Sequence, residues 1–205
     1  VLKSALPHIA PGTPVLSATK GIEQGTLLLV SGIFEEIFPK ERHGELTYLG
    51  GPSFAKEVCA DVPTVVAVAG HDDTTRRKVQ EALNTERFRV YTTDDVVGVE
   101  VGGALKNVMA IAAGIADGMR FGHNTRAAII TRGLAELTRM AVHLGGEAIT
   151  LAGLGGMGDL VLTCTGDLSR NRQVGIGLGG QGDPHPHHGA RDVSTVDGPD
   201  DRRRG

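Results

Sequence analysis

Aromatic residues are nearly missing from this chain: 205 residues hold five Phe, two Tyr and no Trp. Such a chain lacks the stacking platforms on which single-stranded nucleic acids are held, and its core must come from aliphatics and Ala. Cysteine is almost as scarce. Cys59 and Cys164 stand far apart with no CxxC pair, which excludes a disulfide-dense scaffold and a Cys-rich zinc module. The pair fits a reducing, cytoplasmic compartment, and both thiols read as small buried hydrophobes. No run of about 18 apolar residues is present, so no membrane-spanning helix is expected. No charged segment precedes an apolar run as in a targeting peptide. Charge of one sign is also lacking: a net charge of -3 gives no electrostatic case for DNA or a membrane surface.

Glycine, by contrast, is plentiful at 30 residues, beside 40% apolar and 22% charged residues, an ordinary balance for a globular protein. The length allows one or two domains with ample core. Residues 1–10 read as the end of a helix closed by Pro11-Gly12. Short strands are expected at residues 14–19, 46–49, 63–69 and 88–91, with helices at 24–38 and 72–84. The 63–69 strand is apolar throughout, as befits a strand covered on both faces. This alternation predicts an α/β fold with a parallel sheet over residues 1–95. From Asp94 helical patterns follow one another (94–119, 124–144, 147–151, then shorter pieces), giving an all-helical domain over 96–180. Residues 181–205 are Pro- and His-bearing with almost no apolar side chains, and read as a disordered tail.

The stretch running from Val99 to Gly114 organises the rest. It has helical length and a lining of Gly and Ala, yet carries Lys106 at its middle. At 100° per residue Gly103, Ala110 and Ala113 share the side of Lys106, so bulky groups are missing there. An amine held on such a side is partly stripped of water, which disfavours the ammonium and makes a general base. The plainer alternative is a Lys that snorkels to solvent from a tightly packed helix.

Other motifs carry weaker signals. Gly153-Leu154-Gly155-Gly156-Met157-Gly158 and Gly175-Ile176-Gly177-Leu178-Gly179-Gly180 both satisfy the G-x-G-x-x-G fingerprint. The first follows a possible short strand at 148–151, but neither can complete the βαβ unit that the mechanism needs. Lys20 and the Gly51-Pro52-Ser53-Phe54-Ala55 loop both follow strands, at the sheet end where open α/β folds bind ligands. Gly51 would admit a close backbone approach, and Ser53 offers a hydroxyl and a helix N-cap. A surface Lys and a plain capped turn explain the same residues. Ser169 reads as an N-cap with Arg170 and Asn171 in the first turn, a set that suits a phosphate, or simply a capped surface helix. His185, His187 and His188 lie in the polar tail without metal-ligand spacing, and no metal site is expected.

Taken together these blocks resemble the bacterial NAD(P)-dependent glycerol-3-phosphate dehydrogenase family. The resemblance rests on Ser17-Ala18-Thr19-Lys20-Gly21-Ile22-Glu23, the Gly51-Pro52-Ser53-Phe54-Ala55 loop, the stretch from Gly98 to Val108, Thr131-Arg132-Gly133-Leu134, Gly153 to Leu160 and Leu168-Ser169-Arg170-Asn171-Arg172, in the family's order. It implies that residues 1–95 are the C-terminal part of a partial Rossmann-like NAD(P)-binding domain, and that the reaction is hydride exchange between NAD or NADP and the secondary alcohol of sn-glycerol 3-phosphate, giving dihydroxyacetone phosphate for glycerophospholipid precursors. Lys106 matches the proton acceptor. Lys20, Gly51, Ser53, Lys106, Asp159, Ser169, Arg170 and Asn171 match substrate contacts; Lys20, Ala55 and Arg170 match cofactor contacts. The implied partner is a small phosphorylated substrate, with no nucleic acid or membrane and with a possible homo-oligomer.

Gly50 stands where the family usually has Ser. The family's first strands and Gly-rich pyrophosphate turn are expected before Val1, and past Gly180 the resemblance stops at the polar tail. The expectation is therefore a fragment with a shifted reading frame at its end. Rival readings are another β-hydroxyacid-type dehydrogenase and a non-catalytic helical remnant that dimerises.

Overall fold

A computed structural model describes residues 2–180. Its first half runs α1 (Leu2–Ala5), a 3-10 turn (Leu6–His8), β1 (Val15–Ser17), α2 (Val30–Ile37), a second 3-10 turn (Lys40–Glu45), β2 (Leu46–Gly50), α3 (Ala55–Cys59), β3 (Thr64–Ala69), α4 (Asp73–Leu83) and β4 (Phe88–Thr93). The second half is helical: α5 (Val96–Gly118), α6 (Gly122–His143), α7 (Ala148–Ala152), a π-helical turn (Leu154–Gly158), α8 (Asp159–Thr165) and α9 (Arg170–Gly180). The tail from Gln181 and its three histidines lie outside the described residues.

The four strands form one sheet in the order β1-β2-β3-β4. It is Rossmann-like, but the parallel sheet that the alternation predicted is only partly realised: β1/β2 and β3/β4 are parallel, whereas β2 and β3 run antiparallel, with Tyr48 opposite Ala69. The short α3 turns the chain back between them rather than spanning a crossover. Val66 and Val68 on β3 pack with Val79 of α4 and Val90 of β4, while Tyr48 and Ala69 join Val30, Phe38, Val96 and Val99. Both faces of β3 are thus covered, which accounts for its unbroken apolar run.

The helix expected over 24–38 begins only at Val30. Before it the chain makes a turn, with Gly25 and Leu27 at positive φ and an Ile22–Leu29 bridge, and this turn uses the backbone groups a helix would need. Residues 148–152 form a helix, the helical one of the two readings of this segment, with Leu151 buried against Val101, Leu137 and Ala141 while Ile149 stays exposed. Cys164 is buried, and burial pushes its thiol up to about 11, but Cys59 ends the short α3 and is exposed, against expectation.

Asp95 sets up the join between the halves. One carboxylate oxygen accepts the Gly98 N–H at 2.8 Å and caps α5; the other accepts the Glu147 N–H at 2.9 Å and ties down the start of α7. By length and mean hydropathy of 1.5, α5 would suit a bilayer span, which the search for unbroken apolar runs missed. In this fold it is the core helix, packed against α6, α8 and α9. Its Gly114 lies so close to α9 that a Cβ would run into the Arg172 carbonyl oxygen. Gly175 and Gly179 answer from α9, so the second G-x-G-x-x-G is a helix-packing seam.

The seam is locked by charge. Asp117, near the end of α5, accepts from Arg126 of α6 at 2.6 Å and from Arg172 of α9 at 2.8 Å, and all three side chains are largely buried. Removing one member of such a cluster leaves uncompensated buried charge. Asp117→Ala should therefore cost about 3–5 kcal/mol in urea denaturation, as for other broken buried pairs; a loss below about 1 kcal/mol, the value of an exposed pair, would show that the cluster is solvent-screened.

Candidate active site

Lys20, Lys106 and Asp159 come from a loop, a helix and another helix start, and they meet. Lys106 projects from the middle of α5 and is paired with Oδ1 of Asp159; Lys20, in the loop after β1, lies 3.5 Å from Oδ2 of the same carboxylate. The Asp159 side chain is only 2% exposed and the Lys106 side chain 12%. One buried carboxylate therefore faces two amines. The amine that the sequence reading treated as alone has an anionic partner, supplied from 53 residues further on.

Backbone packing puts Asp159 there. The segment before it does not form a dinucleotide turn, because Leu154–Gly158 is a π-helical turn running straight into α8. Gly102 of α5 sits against this turn so tightly that a Cβ would strike the Gly155 carbonyl oxygen. Two backbones can approach so closely only where a side chain is missing. The first G-x-G-x-x-G is thus the means by which α8 is brought onto α5. Lys20 is held the same way: its Cδ and Nζ lie 3.3 Å from where a Cβ of Gly103 would stand.

Burial lowers the pKa of Lys20 below the usual lysine value; the Asp159 carboxylate opposes this and the Lys106 charge adds to it. Loss of the proton from Lys20 is thereby eased relative to a solvated lysine.

The remaining predicted residues surround this centre unevenly. Gly51 has φ of 108°, the left-handed region that Gly tolerates, as its turn after β2 requires. Ser53 does not cap α3 as expected: the cap position falls on Phe54, with no side-chain bond, and Ser53 Oγ donates to the Gly51 carbonyl at 3.2 Å. The helix begins one residue later than the cap reading required. Pro52 of this loop packs beside Gly158, directly before Asp159, and the Phe54 ring abuts Gly166 after α8. Ala55 opens α3 and is exposed.

Ser169 is buried and caps α9 as expected, its Oγ accepting the Arg172 N–H at 3.3 Å. Asn171 reaches back to α5, where its Nδ2 donates to Oδ1 of Asn107 at 2.8 Å, one residue from Lys106. Arg170 is exposed at the first turn of α9. Reasoning from sequence missed Asn107 as the anchor of Asn171. It also passed over Glu100, a buried carboxyl whose oxygens accept from Ser31 N–H at 3.0 Å and from Ser31 Oγ. A Glu within an otherwise apolar or glycine run was the signal available for the latter.

The model of the NAD-dependent glycerol-3-phosphate dehydrogenase C-terminus matches residues 95–199, and that of the N-terminus matches residues 1–76. The chain belongs to the NAD-dependent glycerol-3-phosphate dehydrogenase family. The C-terminal match runs past Gly180, where the motif-based resemblance stopped. The glycerol-3-phosphate dehydrogenase [NAD(P)+] of Leptospira biflexa is 58% identical over 179 residues, which are 87% of this chain and 54% of that protein. The Geobacter sp. protein of the same name is also 58% identical over 179 residues, covering 87% and 53%.

Among solved structures, the family member from Coxiella burnetii superposes with a TM-score of 0.78 at 42% identity, covering 88% of this chain and 54% of that one. The yeast glycerol-3-phosphate dehydrogenase follows at 0.75 and 27%, covering 87% and 53%. The chain spans about half the length of the curated relatives it matches.

The Gly102–Gly155 approach predicts a specific fault. Gly102→Ala should push the π-helical turn off α5, costing about 1–3 kcal/mol of stability, the usual penalty of overpacking. Urea denaturation gives the cost, and an unchanged midpoint would show that the two backbones have room to spare.

Proposed function

We propose that this chain carries the proton-transfer and substrate-holding machinery of a glycerol-3-phosphate dehydrogenase. The reaction is hydride exchange between NAD(P) and the secondary alcohol of sn-glycerol 3-phosphate, with dihydroxyacetone phosphate as the ketone. One observation carries this reading: a single buried carboxylate, Asp159, held between the amines of Lys20 and Lys106. The names of the relatives support it, since the similar proteins are glycerol-3-phosphate dehydrogenases [NAD(P)+].

Lys106 takes the hydroxyl proton when the alcohol is oxidised and returns it when the ketone is reduced. General acid–base help of this kind is effective only within hydrogen-bond reach. Asp159 fixes the direction of the Lys106 amine and balances its charge. Lys20, with its ammonium disfavoured by burial, stands at the other carboxylate oxygen and touches substrate and cofactor alike. Asn171, anchored on Asn107, and the start of α9 with Ser169 and Arg170 receive the phosphate, where free N–H groups and a guanidinium favour a dianion. Gly51 and Ser53 close the opposite side.

The residues present fit the nicotinamide end of the cofactor. Lys20 and Ala55 follow β1 and β2, parallel neighbours whose carboxyl ends lie on one side of the sheet, the side where doubly wound folds bind dinucleotides. When bound, the nicotinamide supplies or accepts the hydride. Both glycine fingerprints among the described residues are used in helix packing, so this reading gives neither a pyrophosphate role. Residues 1–95 serve as the C-terminal part of the cofactor domain and 96–180 as the substrate part. Use of the product in glycerophospholipid precursor synthesis, a cytoplasmic site, a small phosphorylated partner and a homo-oligomer belong to the same proposal.

In the whole protein, Lys106→Met should leave phosphate-ester binding almost intact and lower turnover by about 10²–10⁴-fold, the typical worth of general acid–base catalysis. Steady-state kinetics and a binding titration with dihydroxyacetone phosphate and NADH check it; lost binding with retained turnover would reverse the assignment. Arg170→Ala should act chiefly on substrate affinity in the same titration, and unaltered affinity would refute its phosphate role. Preference for a carboxylate analogue over the phosphate ester would favour another β-hydroxyacid-type dehydrogenase, and absence of any binding a non-catalytic remnant.

A further inference from the structure

A second polar feature lies behind Lys20 and is not used above. A small pocket, part of it open to solvent and with room for about one water, is lined by Thr19, Lys20, Tyr48, Glu100 and Gly103 among others. Tyr48 is 3% exposed, and its hydroxyl is buried without any hydrogen-bond partner. Buried hydroxyls are nearly always bonded, so an orphan beside a cavity points to something that occupies the cavity. Glu100 is 8% exposed and spends its bonds on Ser31 of α2. It stands one helical turn before Gly103, on which Lys20 Nζ rests. A hydroxyl, a carboxylate and an amine around one small void supply the two to four partners that a bound water needs.

We propose that this pocket holds bound water bridging Tyr48 Oη, Glu100 and the Lys20 amine, and that Glu100 acts through it as a positioning residue for the Lys20–Asp159–Lys106 cluster. The inference deepens the dehydrogenase reading and rests on it for its functional meaning, though not for its tests. The groups that act on Glu100 are Ser31 and Glu35 of α2 and Tyr48 of β2; those that act on Lys20 are Asp159 and Lys106. Burial raises the pKa of Glu100, and its hydrogen bonds from Ser31 oppose this by favouring the carboxylate. Glu100 and Lys20 line the same pocket without a direct bond, so any support of the Lys20 ammonium by the carboxylate runs through the bridging water.

Two measurements on the full chain decide this without any assay of turnover. If the hydroxyl is bonded to water, Tyr48→Phe removes a hydrogen bond and should lower Tm by about 2–4 °C. If the hydroxyl is a true orphan, the same change removes a buried polar group for nothing, and an equal or higher Tm overturns the proposal. Glu100→Gln keeps the shape and an acceptor for Ser31 but loses the charge. Titration of ¹⁵N-labelled lysine side chains should then show the Lys20 midpoint lower by about half a unit or more. A Lys20 midpoint equal to that of the unsubstituted chain overturns the coupling. A chain that binds no dinucleotide or phosphate ester would defeat the dehydrogenase reading and leave both of these results standing.

Discussion

One carboxylate shared by two amines is the constraint on which the site depends. Lys20 and Lys106 come from different parts of the fold, and two ammonium groups brought together out of water repel each other strongly. Asp159 makes their meeting tolerable because each of its oxygens faces one of them. Nearly the whole carboxylate is out of solvent, so the interaction is only weakly screened. The site is therefore an assembled object: no one segment contains it, and moving any of the three contributing elements undoes it.

That assembly depends in turn on glycine in the helical half. The close approach of Gly102 to Gly155 brings the π-helical turn and α8 onto α5, and the Gly114–Gly175 contact brings α9 alongside. Asp117, gripped by Arg126 and Arg172, fastens the far end of the same helix. The result is a central helix carrying Lys106 and Asn107 in its middle, with Asp159 delivered from one neighbour and Asn171 from another. The charged and amide side chains are thus gathered where the backbones come closest.

Much of this was legible in the residues, and for identifiable reasons. The small side of the Val99–Gly114 stretch announced a crowded helix with an amine in it, because 3.6-residue periodicity survives any tertiary context. Most strands declared themselves by short β-branched runs, and Ser169 as a cap by its place before Arg170. The antiparallel pairing of β2 and β3 was not legible, since the direction of a strand depends on a short connection whose path is fixed only in three dimensions. Residues 148–151 have an apolar run too short for periodicity to separate strand from helix. The partnership of Lys20 with Asp159 spans 139 residues and leaves no local trace. The glycine fingerprints misdirect for a related reason: glycine records that a backbone must come near something, and here that something is another helix.

The central claim, that Asp159 and the lysines act as one unit, is tested most directly by a double-mutant cycle. Stability to urea would be measured for the unsubstituted chain, Asp159→Asn, Lys106→Met and the double variant. The account predicts a coupling of at least about 1 kcal/mol, within the range for contacting residues, with the double variant better tolerated than the sum of the two losses. Losses that simply add would contradict it, for they would mean that carboxylate and amine are neighbours without being partners.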